Sequence, residues 1–297
     1  MPPIPPPRDS GFTTTTAVPL YWCSYGPAGA RRLVVLHGGP GADHQYLLPQ
    51  MLDLARDYEL IFYDQRGGGR SRTDDGVPVT WQTHVEDLTG VTRELGGSPV
   101  ELVGYSWGGL LAMLYATVHS SRESLPATLA LIDPAPINRA YRAEFEAEFA
   151  RRQQSQAIQG LRSELAASGL RETDPAAYRQ RAFELSVAGY FADPSRARDL
   201  TPFRVVGKVQ QSVWESLGDF DLLPALERVE IPAVVVHGRQ DPIPLASSES
   251  VAESLHGRLV VIEDCGHVPY VEQPQSLFDA VRRFLTDNRP DHRGHVP

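Results

Sequence analysis

Val100-Glu-Leu-Val-Gly104, Tyr105-Ser106-Trp107-Gly108-Gly109 and Leu110-Leu-Ala-Met-Leu-Tyr-Ala-Thr-Val118 follow one another without a break. The first piece is a short apolar run of the kind that forms a strand, and the third suits a helix. Between them the G-x-S-x-G spacing requires a sharp strand-to-helix turn, with glycine on either side of the serine so that the backbone can crowd together. Such a turn lifts the Ser106 hydroxyl above a sheet and beside a helix N-terminus. Ser106 is therefore the expected nucleophile.

Serine needs a base, and the base needs a carboxylate to fix its tautomer. Of the nine histidines, His267 in Cys265-Gly-His-Val-Pro269 stands just beyond the last strand-like run, where it would project from a strand's carboxyl end. Asp241 in Gly238-Arg-Gln-Asp-Pro242 follows the run Ala233–His237, giving the chain order Ser, Asp, His that accompanies this type of elbow. Asp264 is too near His267 in sequence for easy reach, and Asp133, after Ile132, is a second substitute. The oxyanion of an acyl transfer needs two backbone N–H groups. Trp107, next to the nucleophile, supplies one; Gly39, in the glycine-rich loop His37-Gly-Gly-Pro-Gly41, is expected to supply the other, with Gly38 next in line. Gly38 and Tyr105 are read as substrate-contacting residues. Neither a Walker lysine nor a G-x-G-x-x-G pattern follows that loop, which argues against phosphate binding.

Outward from the elbow, Arg32–Leu36, Glu59–Tyr63, Thr128–Ile132, Ala233–His237 and Arg258–Ile262 are further unbroken apolar runs separated by helical patterns. They predict an α/β fold: a mostly parallel, doubly wound sheet covered on both faces. Thr13–Cys23 is expected to add an antiparallel strand at the front edge. From Ile137 to about Leu222 the strand pattern stops. Tyr141, Phe145 and Phe149 recur at helical spacing, and Asp174-Pro175 reads as a helix start. The predicted organisation is a core of residues 1–136 and 223–297 with a helical cap, 137–222, inserted over the site.

The 297 residues, 41% of them hydrophobic, suffice for a large core. A formal net charge of -9, with no basic run or basic-aromatic stripe, argues against nucleic-acid binding; it reads first as plain solubility, with a mild preference for cationic substrates as the sharper alternative. Two cysteines, Cys23 and Cys265, make no disulfide framework, and Cys265 reads as a small buried thiol. The lead Met1-Pro-Pro-Ile-Pro-Pro-Pro-Arg8 lacks the apolar segment of a signal peptide, no stretch has membrane-spanning length, and a cytoplasmic location is expected. The tail Arg289–Pro297 reads as polar, its two histidines solvated. The expected partner is a small molecule or short peptide, and the chemistry calls for no metal or organic cofactor.

His37-Gly-Gly-Pro-Gly41, Asp64-Gln-Arg-Gly-Gly-Gly-Arg-Ser71, Gly104–Gly109, Gly238–Pro242 and Gly266-His-Val-Pro269 together resemble the proline iminopeptidase branch of the α/β hydrolases. The resemblance implies the α/β-hydrolase fold and removal of an N-terminal residue, typically proline, from a peptide. It also implies cap glutamates that hold the free amino group. The Glu-Asn-His-Tyr-Phe-like segment that usually carries one of them has as its nearest counterpart Ala188-Gly-Tyr-Phe-Ala192, without the acid. Glu144, Glu146, Glu148, Glu184 and Glu215 remain as amine ligands, Glu184 and Glu215 being assigned to substrate binding. Arg66 is expected to brace loops rather than touch substrate. A carboxylesterase or lactonase on small acyl substrates is the alternative activity. A non-catalytic ligand-binding protein on the same fold is the alternative of another class.

Overall fold

The computed structural model describes residues 3–74, 76–96, 100–119 and 125–289. The apolar runs become strands. In chain order these are β1 (Asp9–Phe12), β2 (Tyr21–Tyr25), β3 (Arg32–Leu36), β4 (Glu59–Tyr63), β5 (Glu101–Tyr105), β6 (Thr128–Ile132), β7 (Ala233–Gly238) and β8 (Arg258–Ile262). They form one sheet in the order β1-β2-β4-β3-β5-β6-β7-β8. Only the β1–β2 and β2–β4 pairings are antiparallel.

Because successive strand residues point to opposite faces, each unbroken run feeds two cores at once. Val35, Phe62, Val103 and Ile132 face one core, shared with helix α11 (Pro274–Asp287) through Leu277, Val281 and Leu285. Val34, Ile61, Leu102 and Leu131 face the other, covered by α1 (Trp81–Leu95), α2 (Trp107–Val118) and α9 (Leu245–Ser254). Helix α2 is buried from Trp107 to Ala116, which is why its sequence is apolar all round rather than striped. Glu59 and Glu101, buried at two strand starts, are neutralised by Arg8 and Arg32 and by Arg31 respectively.

The front edge differs from expectation. Thr13–Cys23 is not one strand: β1 and β2 flank a turn. Pro19 lacks a donor for a ladder. The Glu94 carboxylate takes the N–H groups of Thr14 and Thr15, so a run of β-branched threonines is held out of the sheet by a partner 80 residues away in sequence.

After β6 the chain leaves the sheet, and it returns before β7. An antiparallel bridge between Asn138 and Asp221 closes the neck of this excursion, with Leu222 N–H donating to Ile137 O at 3.3 Å. Between the two lie α3 (Arg139–Gln153), α4 (Gln156–Ala167), α5 (Leu170–Thr173), α6 (Pro175–Val187) and α7 (Gly207–Leu217). Short helices α8 (Leu223–Leu226) and α10 (Pro269–Glu272) complete the set. Local signals start these helices: Asn138 Oδ1 accepts from Tyr141 N–H, and Asp174 Oδ1 accepts from Ala176 and Ala177 N–H ahead of Pro175. Among the described residues no helix is long and apolar enough to cross a membrane.

The crossing of β3 and α2 is tight at Gly108, where a Cβ would fall on the carbonyl oxygens of Leu36 and His37. Gly160, exposed in α4, has nothing within 4 Å of the place a Cβ would occupy. Urea denaturation is therefore expected to show Gly108→Ala losing about 1–3 kcal/mol by overpacking, and Gly160→Ala gaining roughly 0.5–1 kcal/mol. Equal effects at the two sites would contradict this packing.

Candidate active site

Ser106 sits between β5 and α2 with φ 52° and ψ -119°, a backbone conformation that side-chain-bearing residues rarely adopt. Its N–H donates to Ile132 O at 2.9 Å, and its carbonyl accepts from Gly109 and Ala135 at 2.9 Å each. The neighbouring strand and the new helix thus hold the turn, and the hydroxyl stands at the carboxyl end of the sheet.

Two other strand ends bring the partners. His267 Nε2 lies 3.0 Å from Ser106 Oγ, and His267 Nδ1 lies 2.7 Å from Asp241 Oδ2. Asp241 Oδ1 accepts from Ile243 N–H at 2.7 Å, which fixes the carboxylate from the other side. Burial pushes His267 down to about 4 and Asp241 up to about 7. His267 is accordingly a neutral imidazole at neutral pH, with Nδ1–H facing the acid and the Nε2 lone pair facing the hydroxyl. Asp264 and Cys265 stand apart from this line. Cys265 is buried, and desolvation pushes its thiol up.

The glycine loop is fixed by side chains that sequence reading passed over. Gln65 Nε2 donates to His37 O at 2.8 Å, and Gln65 Oε1 accepts from Trp107 Nε1 at 2.8 Å. One amide thereby ties the loop to the elbow helix. His37, lowered by burial and so neutral, accepts from Gln65 N–H through Nε2. Behind them His44 and Asp64 make a buried pair at 2.7 Å: burial alone would lower His44, but the bond to Asp64 lifts it to about 10. Arg66 forks onto Asp87 at 2.6 and 2.8 Å and does not reach the cavity. Gly38 N–H donates to Tyr46 Oη at 2.7 Å, which engages it away from an oxyanion, and Gly38 is absent from the cavity lining. Among the described residues, Gly39 and Trp107 N–H are paired with no protein acceptor.

A cavity of about 690 Å³ opens on Ser106 and His267. Tyr46, Tyr105, Phe203 and Tyr270 line its wall, and Tyr105 Oη is turned away to donate to His267 O at 2.9 Å. Glu146 and Arg142 of α3 and Trp214 and Glu215 of α7 stand around its rim. Arg142 is already engaged, donating to Glu146 at 2.8 Å and lying 4.0 Å over the Trp214 ring. Among the described residues, the Glu215 carboxylate accepts from Gln211 Nε2 alone, at 2.7 Å. Glu184, assigned from the sequence to substrate binding, lies outside this cavity, buried and held by Arg181 at 2.6 Å and Gln180 at 3.0 Å. Glu148 is tied to Arg151 and Arg152 and does not line the cavity either.

The helical segment between β6 and β7 also holds the loops that carry His267 and Asp241. Tyr190 O accepts from His267 N–H at 2.7 Å, and the Tyr190 ring lies 5.1 Å from the imidazole. Arg152 donates to Gln240 O at 2.5 Å and to Asp241 O at 3.3 Å. Glu272, one turn past His267, accepts from Gly266 N–H at 2.8 Å and from Ala192 N–H at 2.9 Å. Nothing local in the sequence marks the links from Glu272 to Ala192 or from Arg152 to the Gln240–Asp241 turn, because each joins segments distant in the chain.

A parallel sheet with a serine elbow, a histidine and an acid on successive strand ends and inserted helices above them defines an α/β fold of the hydrolase type. Residues 33–280 match the alpha/beta hydrolase family, and the chain belongs to that family. A proline iminopeptidase of Saccharolobus solfataricus is 25% identical over 93% of this chain and 92% of that protein. Among solved structures, the proline iminopeptidase of Mycobacterium smegmatis is similar with a TM-score of 0.69 and 21% identity, over 94% of this chain and 98% of that one. The enol-lactonase of Burkholderia xenovorans is similar with a TM-score of 0.65 and 20% identity, over 93% and 100%. The chain is thus an α/β hydrolase that resembles proline iminopeptidase.

Glu272→Gln would set an amide NH₂ against one of the two backbone donors. Loss of about 1–3 kcal/mol in urea unfolding is expected, since one buried N–H is left unpaired. A change below a few tenths of that would show that Glu272 does not hold the His267 loop to the cap.

Proposed function

We propose that the protein is a serine hydrolase working through an acyl-enzyme at Ser106, with core 1–136 and 223–297 as the catalytic part and 137–222 as its lid. The observation that carries this reading is the row Ser106–His267–Asp241, at 3.0 and 2.7 Å, opening on a cavity. His267 takes the Ser106 proton as Oγ attacks a carbonyl. Gly39 and Trp107 N–H, both without acceptors among the described residues, stabilise the oxyanion. Asp241 stabilises the imidazolium, which then protonates the leaving group, and water hydrolyses the acyl-enzyme.

The favoured substrate is a small peptide with a free amino terminus, from which the N-terminal residue is released. The curated relatives named proline iminopeptidase support this, as does Glu215, an acid at the cavity rim that among the described residues pairs with no arginine and so is open to a cationic amine. A second reading, ester or lactone hydrolysis, is favoured by the neighbouring rim. There Arg142 neutralises Glu146, and the aromatic wall would take an uncharged acyl chain.

Ser106→Ala is expected to fold normally and to lose on the order of 10⁶ in kcat, as removal of such a nucleophile does elsewhere. A labelled fluorophosphonate should mark Ser106, and its failure to do so would favour a ligand-binding protein. Side-by-side assay of a prolyl arylamide and a short-chain aryl ester separates the substrates, for ester turnover without arylamide cleavage rejects the peptidase reading.

The pH profile has a definite sign. His267, lowered to about 4, is already in its base form at neutral pH, whereas Asp241, raised to about 7, gains its charge only as pH climbs through that value. The rate kcat/KM should therefore rise through about pH 7 and then level off. A rate that falls across that interval would refute the assignment of Asp241.

A further inference from the structure

A second carboxyl stands beside Asp241. Asp133 follows β6, is fully buried and has a positive φ of 40°. The candidate ligand atoms of Asp133, His237 and Asp241 all lie within 4.8 Å of one another. Asp133 Oδ1 accepts from Gly238 N–H at 2.8 Å, while Oδ2 is sealed from solvent and without a hydrogen-bond partner. His237 supplies no cation: burial lowers it to about 3, and its Nδ1 lies 2.9 Å from Ser248 Oγ and 3.7 Å from Asp133. Among the described residues no arginine or lysine side chain makes an ion pair with either acid; Arg152 reaches only the Asp241 carbonyl.

Two carboxylates this close, in a volume shut from water, do not both keep a charge. Burial and then the nearness of Asp241 hold Asp133 well above the carboxylate range, so the proton belongs to Asp133. A protonated carboxyl has an O–H to give, and the unpartnered Oδ2 is the atom that can carry it toward Asp241.

We propose that Asp133 and Asp241 hold one negative charge between them and face His267 as a unit, Asp133 being a positioning residue that shares the task of the acid. This rests on the acyl-transfer reading above. The plain alternative is that Asp133 only ties β6 to β7 through Gly238 N–H. Asparagine at 133 keeps that acceptor and cannot take the charge, so it separates the two.

The experiment compares kcat and KM for an aryl ester in D133N, D241N and D133N/D241N, with fluorophosphonate labelling of the unmodified protein as reference. D133N leaves the charge on Asp241 and should cost no more than about threefold in kcat. D241N leaves it on Asp133 and should cost about ten- to a hundredfold. The double variant should approach the loss of about 10⁴ that follows removal of the acid's charge in a serine triad, with KM unchanged throughout. A double variant no slower than D241N overturns the shared charge, even though Ser106 is labelled. Failure of labelling removes the acyl-transfer reading and the shared charge with it. Should D133N not fold, D133S offers Gly238 an acceptor and repeats the comparison.

Discussion

The hydrogen bond from Ser106 N–H to Ile132 O is the constraint on which the site turns. It closes β5 onto β6 at the very residue where the chain must reverse into α2 with a positive φ. A non-glycine residue in that region costs roughly 1–3 kcal/mol. The bonds from Gly109 and Ala135 to the Ser106 carbonyl, each worth about 1 kcal/mol net, offset a cost of that size. The same turn fixes two further features. Trp107 becomes the first residue of a buried helix, with its N–H directed out of the helix end. Ala135 and Pro136 are drawn to the cavity wall, from which the cap departs.

From that turn outward, the site is assembled by atoms that bridge segments rather than by any one loop. Gln65 joins the His37–Gly41 loop to Trp107. Tyr46 holds Gly38, leaving Gly39 as the next N–H in line. Tyr105 carries the His267 carbonyl on its hydroxyl while its neighbour Ser106 faces the imidazole. These groups are buried, so each bond acts in a low dielectric and each missing bond would leave an unpaired polar atom. The surroundings of Ser106 are therefore set before any ligand arrives.

The parallel strands and the elbow were legible in the sequence because both are short-range demands. A strand covered on both faces must be apolar throughout, and a strained turn needs glycine beside the serine. The chain order of Ser106, Asp241 and His267 was legible for the same reason, since each follows its own strand. What was not legible depends on which distant segments meet. Thr13–Val18 has β-branched residues, yet Glu94 captures its amides. Glu184 and Glu215 look alike in sequence, both lying on helices with mixed polarity. Both find local partners, Gln211 and Arg181, but only the placement of α6 and α7 over the sheet sends Glu215 to the cavity and leaves Glu184 outside it. The cross-links that Glu272 and Arg152 make leave no local mark, because Ala192 and the Gln240–Asp241 turn lie some eighty to ninety residues away from them.

Those long-range contacts bear on how the cap acts. It is fastened on several sides: Trp81 to Ser216 at 3.0 and 3.1 Å, Thr201 to Leu48 at 2.6 Å, Val206 to Gly41 at 2.9 Å, and Ala192 to Glu272. A lid that swung away as one body would break all of these and would also release His267 from Tyr190. Opening and loss of the aligned imidazole are thus one event, whereas passage between rim side chains such as Glu146, Gln211 and Glu215 disturbs neither. On the lid reading proposed above, the segment is a fixed part of the site, one that holds the Asp241 and His267 loops from above and leaves its rim as the way to Ser106.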